Sequence, residues 1–145
     1  MSRVARSARV ASRQRVETIA ANKTIESAET GETYIVTAAA TITLPAVQDG
    51  AYFKFIVGSD ITNNAAALKI SAAAAGIMQG GISEQLHNTA PQLSHGSNNQ
   101  HMTVDASGGG NSLKVGSVVE CVCDGTNWFV TGRILSAGTV AASFS

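Results

Sequence analysis

The sequence predicts an all-β fold: a compact sandwich or barrel, jelly-roll-like, of short antiparallel strands, with an extended N-terminal arm. Three observations predict it. Apolar and polar residues alternate in run after run, as in Tyr52-Phe53-Lys54-Phe55-Ile56-Val57, and a period of two puts alternate side chains on opposite faces of a strand. Turn residues recur roughly every eight to twelve positions, the spacing of sandwiches and barrels. No long stretch keeps the 3.6-residue period of a helix.

The chain begins with a segment unlike the rest. Its first fifteen residues hold Arg3, Arg6, Arg9, Arg13 and Arg15 and no acid, whereas the remainder sets five bases against ten acids. Charge is therefore segregated into a basic arm, assigned to residues 1–18, and an acidic body, assigned to 19–145 as a single β domain. The arginines at three- and four-residue spacing would line one side of a helix. The opposite side, with Val4, Ala8 and Ala11, is too weakly apolar to bury much, so the arm is expected to be disordered alone and ordered on a partner. Fully extended, it would reach about 50 Å.

The body is read in order. Residues 19–25 lead to a turn at Glu29-Thr30-Gly31-Glu32, then to strands at Thr33–Thr37 and Ala40–Leu44, the second ended by Pro45, which cannot donate to a ladder. Asp49-Gly50 marks a turn before the run at 51–57, where Phe53, Phe55 and Val57 oppose Tyr52, Lys54 and Ile56. Asp60 to Asn64 reads as a polar loop, Ala67 to Ser71 as a strand with Leu68 and Ile70 inward, and Ala72 to Ala75 as a connection because Gly76, Gly80 and Gly81 follow. The polar residues 87–100 read as the long loop. Met102 to Val104 is a short strand, Ser107 to Asn111 a turn, and the tail 137–145 a strand suited to a neighbouring subunit's sheet edge.

The strongest local signal is Ser117 to Arg133. Asp124-Gly125, flanked by two β-rich runs, marks a hairpin, because both residues tolerate the positive φ of a tight turn. Val119, Cys121 and Cys123 share one face of the first run, and Trp128 and Val130 one face of the second. The expected core is Leu44, Phe53, Phe55, Ile70, Cys121, Cys123, Trp128 and Val130. Two cysteines two apart on one strand face are badly placed to bridge each other, so both are expected as buried free thiols, in keeping with a reducing cytoplasm.

Composition narrows the function. Of the 145 residues 44% are hydrophobic but only 5% aromatic, with 14 glycines, which suits thin, closely packed strands rather than a deep cavity. Charged residues make up 14%, below the usual quarter or so, and this suggests a surface partly covered by another subunit. No apolar run approaches the roughly 18 residues of a membrane span, and the basic N-terminus lacks the apolar segment of a signal peptide.

No chemistry assembles around the reactive side chains. His87, His95 and His101 with Asp105 match no metal spacing, and Cys121-Val122-Cys123 is too tight for a zinc half-site. Gly-x-Ser-x-Gly is absent, Ser94-His95 has no placed partner, and Gly108-Gly109-Gly110 lacks the following Lys-Ser/Thr of a phosphate loop. Asp105, Glu120 and Asp124 are isolated acids. Neither enzymatic activity nor a cofactor is expected. The arm's guanidiniums could grip phosphates, but no interleaved aromatics or recognition helix accompany them, so an acidic protein surface is favoured over nucleic acid.

Taken together, Thr41-Ile42-Thr43-Leu44-Pro45-Ala46, Gly50 to Val57, Leu68-Lys69-Ile70, Ile77-Met78-Gln79-Gly80 and Val118 to Gly132 resemble, in order and spacing, a pattern of bacteriophage virion β-modules found in capsid decoration (cement) proteins and in fibre and tail-spike proteins. The resemblance covers residues 33–133 and transfers no catalytic residue. The stretch from His87 to Gly110 is longer than the pattern provides. The resemblance implies a homotrimeric β body fastened to the virion. Because the module fills the 145 residues and leaves no room for a shaft or receptor tip, the expectation is a decoration protein on the outer capsid surface, assembled in the host cytoplasm. Its partner would be the major capsid protein, gripped by Arg3, Arg6, Arg9, Arg13 and Arg15, with Val4, Val10 and Val16 adding apolar contact. The alternative is a small tail or head-fibre adaptor that binds another virion protein or a host-surface glycan through the 87–110 loop.

Overall fold

The computed structural model describes residues 15–26, 32–86 and 91–145, and among them every helix or strand is a strand. The larger of two sheets carries, side by side, β1 (Val16–Ile19), β3 (Glu32–Val36), β5 (Tyr52–Val57), β12 (Val118–Cys123), β13 (Trp128–Ala137), β8 (Met78–Leu86) and β9 (Gln92–Asn99). Two short strands, β6 (Ile61–Thr62) and β11 (Ser112–Leu113), continue the lanes of β5 and β12 and pair with each other, and β11 pairs with the end of β13. The smaller sheet runs β14 (Ala141–Phe144), β10 (His101–Ala106), β7 (Asn64–Ser71), β4 (Ala40–Thr43), β2 (Lys23–Thr24). The two sheets close over one core, so the fold is an all-β sandwich.

Alternation does what the sequence predicts. Burial runs intermediate–buried three times over along β5, and Val119, Cys121 and Cys123 point inward from β12 as Trp128 and Val130 do from β13. All eight expected core residues are buried, none more than 1% exposed. Aromatic rings form a continuous line on the inner face of the larger sheet: Trp128 lies 5.8 Å from Phe53, and Tyr34 lies 6.3 Å from Phe53 and 5.4 Å from Phe55. Opposite them stand Ile42, Leu68, Ile70, Met102 and Val104. Cys121 and Cys123 are free thiols.

Pairing departs from the expected antiparallel pattern. The first half of the chain changes sheet with each major strand, β1 to β2 to β3 to β4 to β5, and returns to each sheet running in the same direction. Consequently β1–β3, β3–β5, β2–β4 and β4–β7 are parallel, as is β8–β13. This winding stacks like on like: Ile19, Val36 and Val57 are in register and buried. Parallel and antiparallel strands share one side-chain period, so the alternation that reveals a strand is silent about its partner's direction.

Several further expectations are corrected. The long loop at 87–100 is largely β9, antiparallel to β8; residues 87–90 lie outside the described residues. A polar edge strand shows no apolar alternation to read. The segment 60–64 is not wholly loop, since β6 and the start of β7 fall within it. The tail is a strand of its own chain's smaller sheet, where β14 pairs with β10 and forms the edge. The hairpin turn spans four residues, 124–127, because Cys123 pairs with Trp128; only Gly125 takes a positive φ, and Asp124 instead accepts the N–H groups of Thr126 and Asn127. Finally, Val16, Glu17 and Thr18, allotted to the arm, belong to β1 of the body, and of the turn expected at 29–32, Glu32 opens β3 while 29–31 lie outside the described residues.

Candidate functional site

Two surfaces stand out, and both follow from the winding. The first is the root of the arm. β1 edges the larger sheet and β2 the smaller, so the end of the sandwich between them opens into a cavity of about 290 Å³ lined by Arg15, Glu17, Lys23, Glu32 and Tyr34 among others. Two ion pairs lie inside it. The Arg15 guanidinium lies 3.2 Å from Glu32 Oε1, and the Tyr34 hydroxyl donates to Glu32 Oε2. Lys23 Nζ pairs with Glu17 and sits 5.6 Å from the centre of the Tyr34 ring. Burial, then the hydrogen bond and charge of Glu32, push the Tyr34 phenol above its ordinary value, so at neutral pH it is a fixed donor rather than a base. The Thr33 N–H also donates to the Arg15 carbonyl at 3.1 Å. The arrangement ties residue 15 to β3 through both its side chain and its carbonyl.

Of the expected arm residues, Arg15 and Val16 are thus placed in the body, with Arg15 held by Glu32 and Val16 59% exposed on β1. Arg3, Val4, Arg6, Arg9, Val10 and Arg13 lie outside the described residues.

The second surface is the outer face of the larger sheet. Register aligns Tyr52, Val122 and Phe129 in one row, Lys54, Glu120 and Thr131 in the next, and Ile35, Ile56, Val118 and Arg133 in a third. Val122 and Phe129 are 43% and 41% exposed. Between the two apolar rows Glu120 Oε1 lies 3.7 Å from Lys54 Nζ and accepts the Tyr52 hydroxyl at 3.0 Å. The outer face of the smaller sheet differs, with Thr41, Lys69, Thr103 and Ser143 across its central row.

The remaining reactive residues do not converge. His95 is exposed on β9, and His101 on β10 has Nδ1 2.9 Å from Ser71 Oγ, with burial and then Lys69 lowering its pKa; His87 lies outside the described residues. Asp105 accepts the Ser107 N–H at 2.7 Å, a local turn. Among the described residues no group of three His, Cys, Asp or Glu could hold a metal ion, and no helix is long and apolar enough to cross a membrane. Ser94 contacts Glu84 rather than His95. Sequence reasoning passed over Glu84, which is 1% exposed: its Oε1 accepts the Ala142 N–H at 2.8 Å and lies 2.6 Å from Ser94 Oγ, tying β8, β9 and β14 together. The period of two through Met78, Gly80 and Ile82 was the signal that Glu84 faces inward.

Comparison with family models, curated proteins and solved structures returns no match to this chain.

Proposed function

We propose that this chain is a bacteriophage capsid decoration protein that sits on the outer capsid surface as a homotrimer and stabilises the shell through its N-terminal arm. The observation that carries the reading is the root of the arm. The chain enters the body at Arg15, which is held by its side chain to Glu32 and by its carbonyl to Thr33. A clamp needs a fixed origin, and these two contacts tie residue 15 to β3. Because Glu32 engages Arg15, capsid carboxylates would be gripped chiefly by Arg3, Arg6, Arg9 and Arg13. Three arms per trimer sum modest contacts into high avidity. The fibre-adaptor alternative relied on an 87–110 loop, most of which is β9 and β10.

The test is to delete residues 1–14 and measure occupancy on purified capsids. Occupancy should fall steeply while the body stays folded; undiminished occupancy sinks the clamp. Tight DNA binding that weakens steeply with salt would instead point to nucleic acid as the arm's partner.

A further inference from the structure

We infer that the outer face of the larger sheet is the surface through which copies of this chain associate. The inference rests on the homotrimer of the preceding reading and says which surface makes it. Three observations support a second copy as the occupant. Two of its three rows are mainly apolar, with Tyr52, Val122 and Phe129 in one and Ile35, Ile56 and Val118 in the other, where the central row of the smaller sheet is polar. A solvated sheet face ordinarily alternates to polar, and contiguous exposed apolar rows mark an interface.

Its extent approaches that of a small standard interface. The middle row crosses seven strands, from Val16 on β1 to His95 on β9, and is open on all but β3, where Thr33 is buried. With strands about 4.8 Å apart and rows about 6.7 Å apart, and with the Tyr52 row crossing only β5, β12, β13 and β8, the three rows cover on the order of 550 Å². The smallest standard interfaces take about 600 Å² from each partner.

Its charges complement themselves. Lys54 and Glu120 stand side by side in the middle row on neighbouring strands. When copies turn this face to a common axis, Lys54 of each can meet Glu120 of the next, and the ring of alternating charge closes for two or three copies alike. An acidic or basic foreign partner would leave one of the two charges opposed by its own sign.

The experiment measures the mass of the full chain by light scattering at micromolar concentration. Folding is followed by circular dichroism and by the emission of Trp128, which faces inward. Wild type should give three times the 14.8 kDa chain mass. Val122→Asp and Phe129→Asp should weaken association about thirtyfold or more, while Thr103→Asp on the smaller sheet leaves it unchanged. Lys54→Glu should dissociate the assembly and Lys54→Glu/Glu120→Lys restore it, which keeps the test decisive if an aspartate variant fails to fold. A wild-type chain that is folded and single overturns the inference. So does a trimer that survives Phe129→Asp and Lys54→Glu, although the decoration reading then stands with its contact elsewhere. Loss of capsid occupancy on deleting 1–14 with the mass unchanged would separate the arm from this face.

Discussion

Gly80 on β8 lies so close to Val130 on β13 that a β-carbon on it would sit 1.8 Å from the Val130 carbonyl oxygen. Its φ of 142° is also one that other residues rarely adopt. The parallel β8–β13 ladder therefore depends on a glycine here. Gly80→Ala is expected to lower stability by about 3 kcal/mol or more, since the obstruction is backbone and cannot turn away. Gly109→Ala, where nothing lies within 4 Å, should stay within about 0.5 kcal/mol of wild type. Urea unfolding of the two variants checks the contrast.

Glu84 is a fastening between strands rather than an acid catalyst. Removing it in Glu84→Ala leaves the buried Ala142 N–H without its acceptor and should cost about 1–3 kcal/mol. Glu84→Gln keeps an acceptor oxygen for the Ala142 N–H, so it should be milder. Amide hydrogen exchange at Ala142 should accelerate in the alanine variant and far less in the glutamine one.

Stability should decline in alkali. Burial, and secondarily the charge of Glu120, pushes the Cys121 thiol above its ordinary value, and burial with the Glu32 hydrogen bond does the same to Tyr34. The folded chain keeps these protons where the unfolded chain loses them. Stability is thus full below the unfolded thiol value of about 8.5 and falls as pH rises beyond it. Cys121→Ala should flatten the first part of the decline. Thermal melts across the alkaline range test this, and a flat wild-type profile would contradict it.

The opposite sign holds at the hairpin. Backbone N–H groups of Asn127 and Thr126 hold the Asp124 carboxyl below the usual carboxylate range. Its contribution is present above the unfolded value and lost as pH falls through the folded one. Asp124→Ala should be less stable than wild type at neutral pH, and the gap should close in acid. Asp124→Asn, which still offers an acceptor, should keep the turn without the pH dependence.

How much could be read in advance depends on how local the cause is. The alternation through Tyr52 to Val57 and the hairpin strands identified Phe53, Phe55, Cys121, Trp128 and Val130 as core, because a residue's face follows from its own position in a strand. β9 was misread because an edge strand with one face to water and few apolar side chains carries no such pattern. Glu84 was missed because its partners, Ser94 and Ala142, lie 10 and 58 residues away. Glu120 was seen only as an isolated acid, because its row with Lys54 exists only once β5 and β12 are neighbours.

The sequence by itself determined that this is a β protein, which side chains its strands bury, and that a basic segment precedes an acidic body. Only the tertiary structure decided that the first strands wind from sheet to sheet into parallel stacks, that the tail closes its own sandwich, and that Arg15 is anchored by Glu32. The physical reason is the range of the interactions: side-chain period and turn chemistry act within a few residues, whereas strand partners, registers and ion pairs are chosen between segments that meet only when the chain has closed.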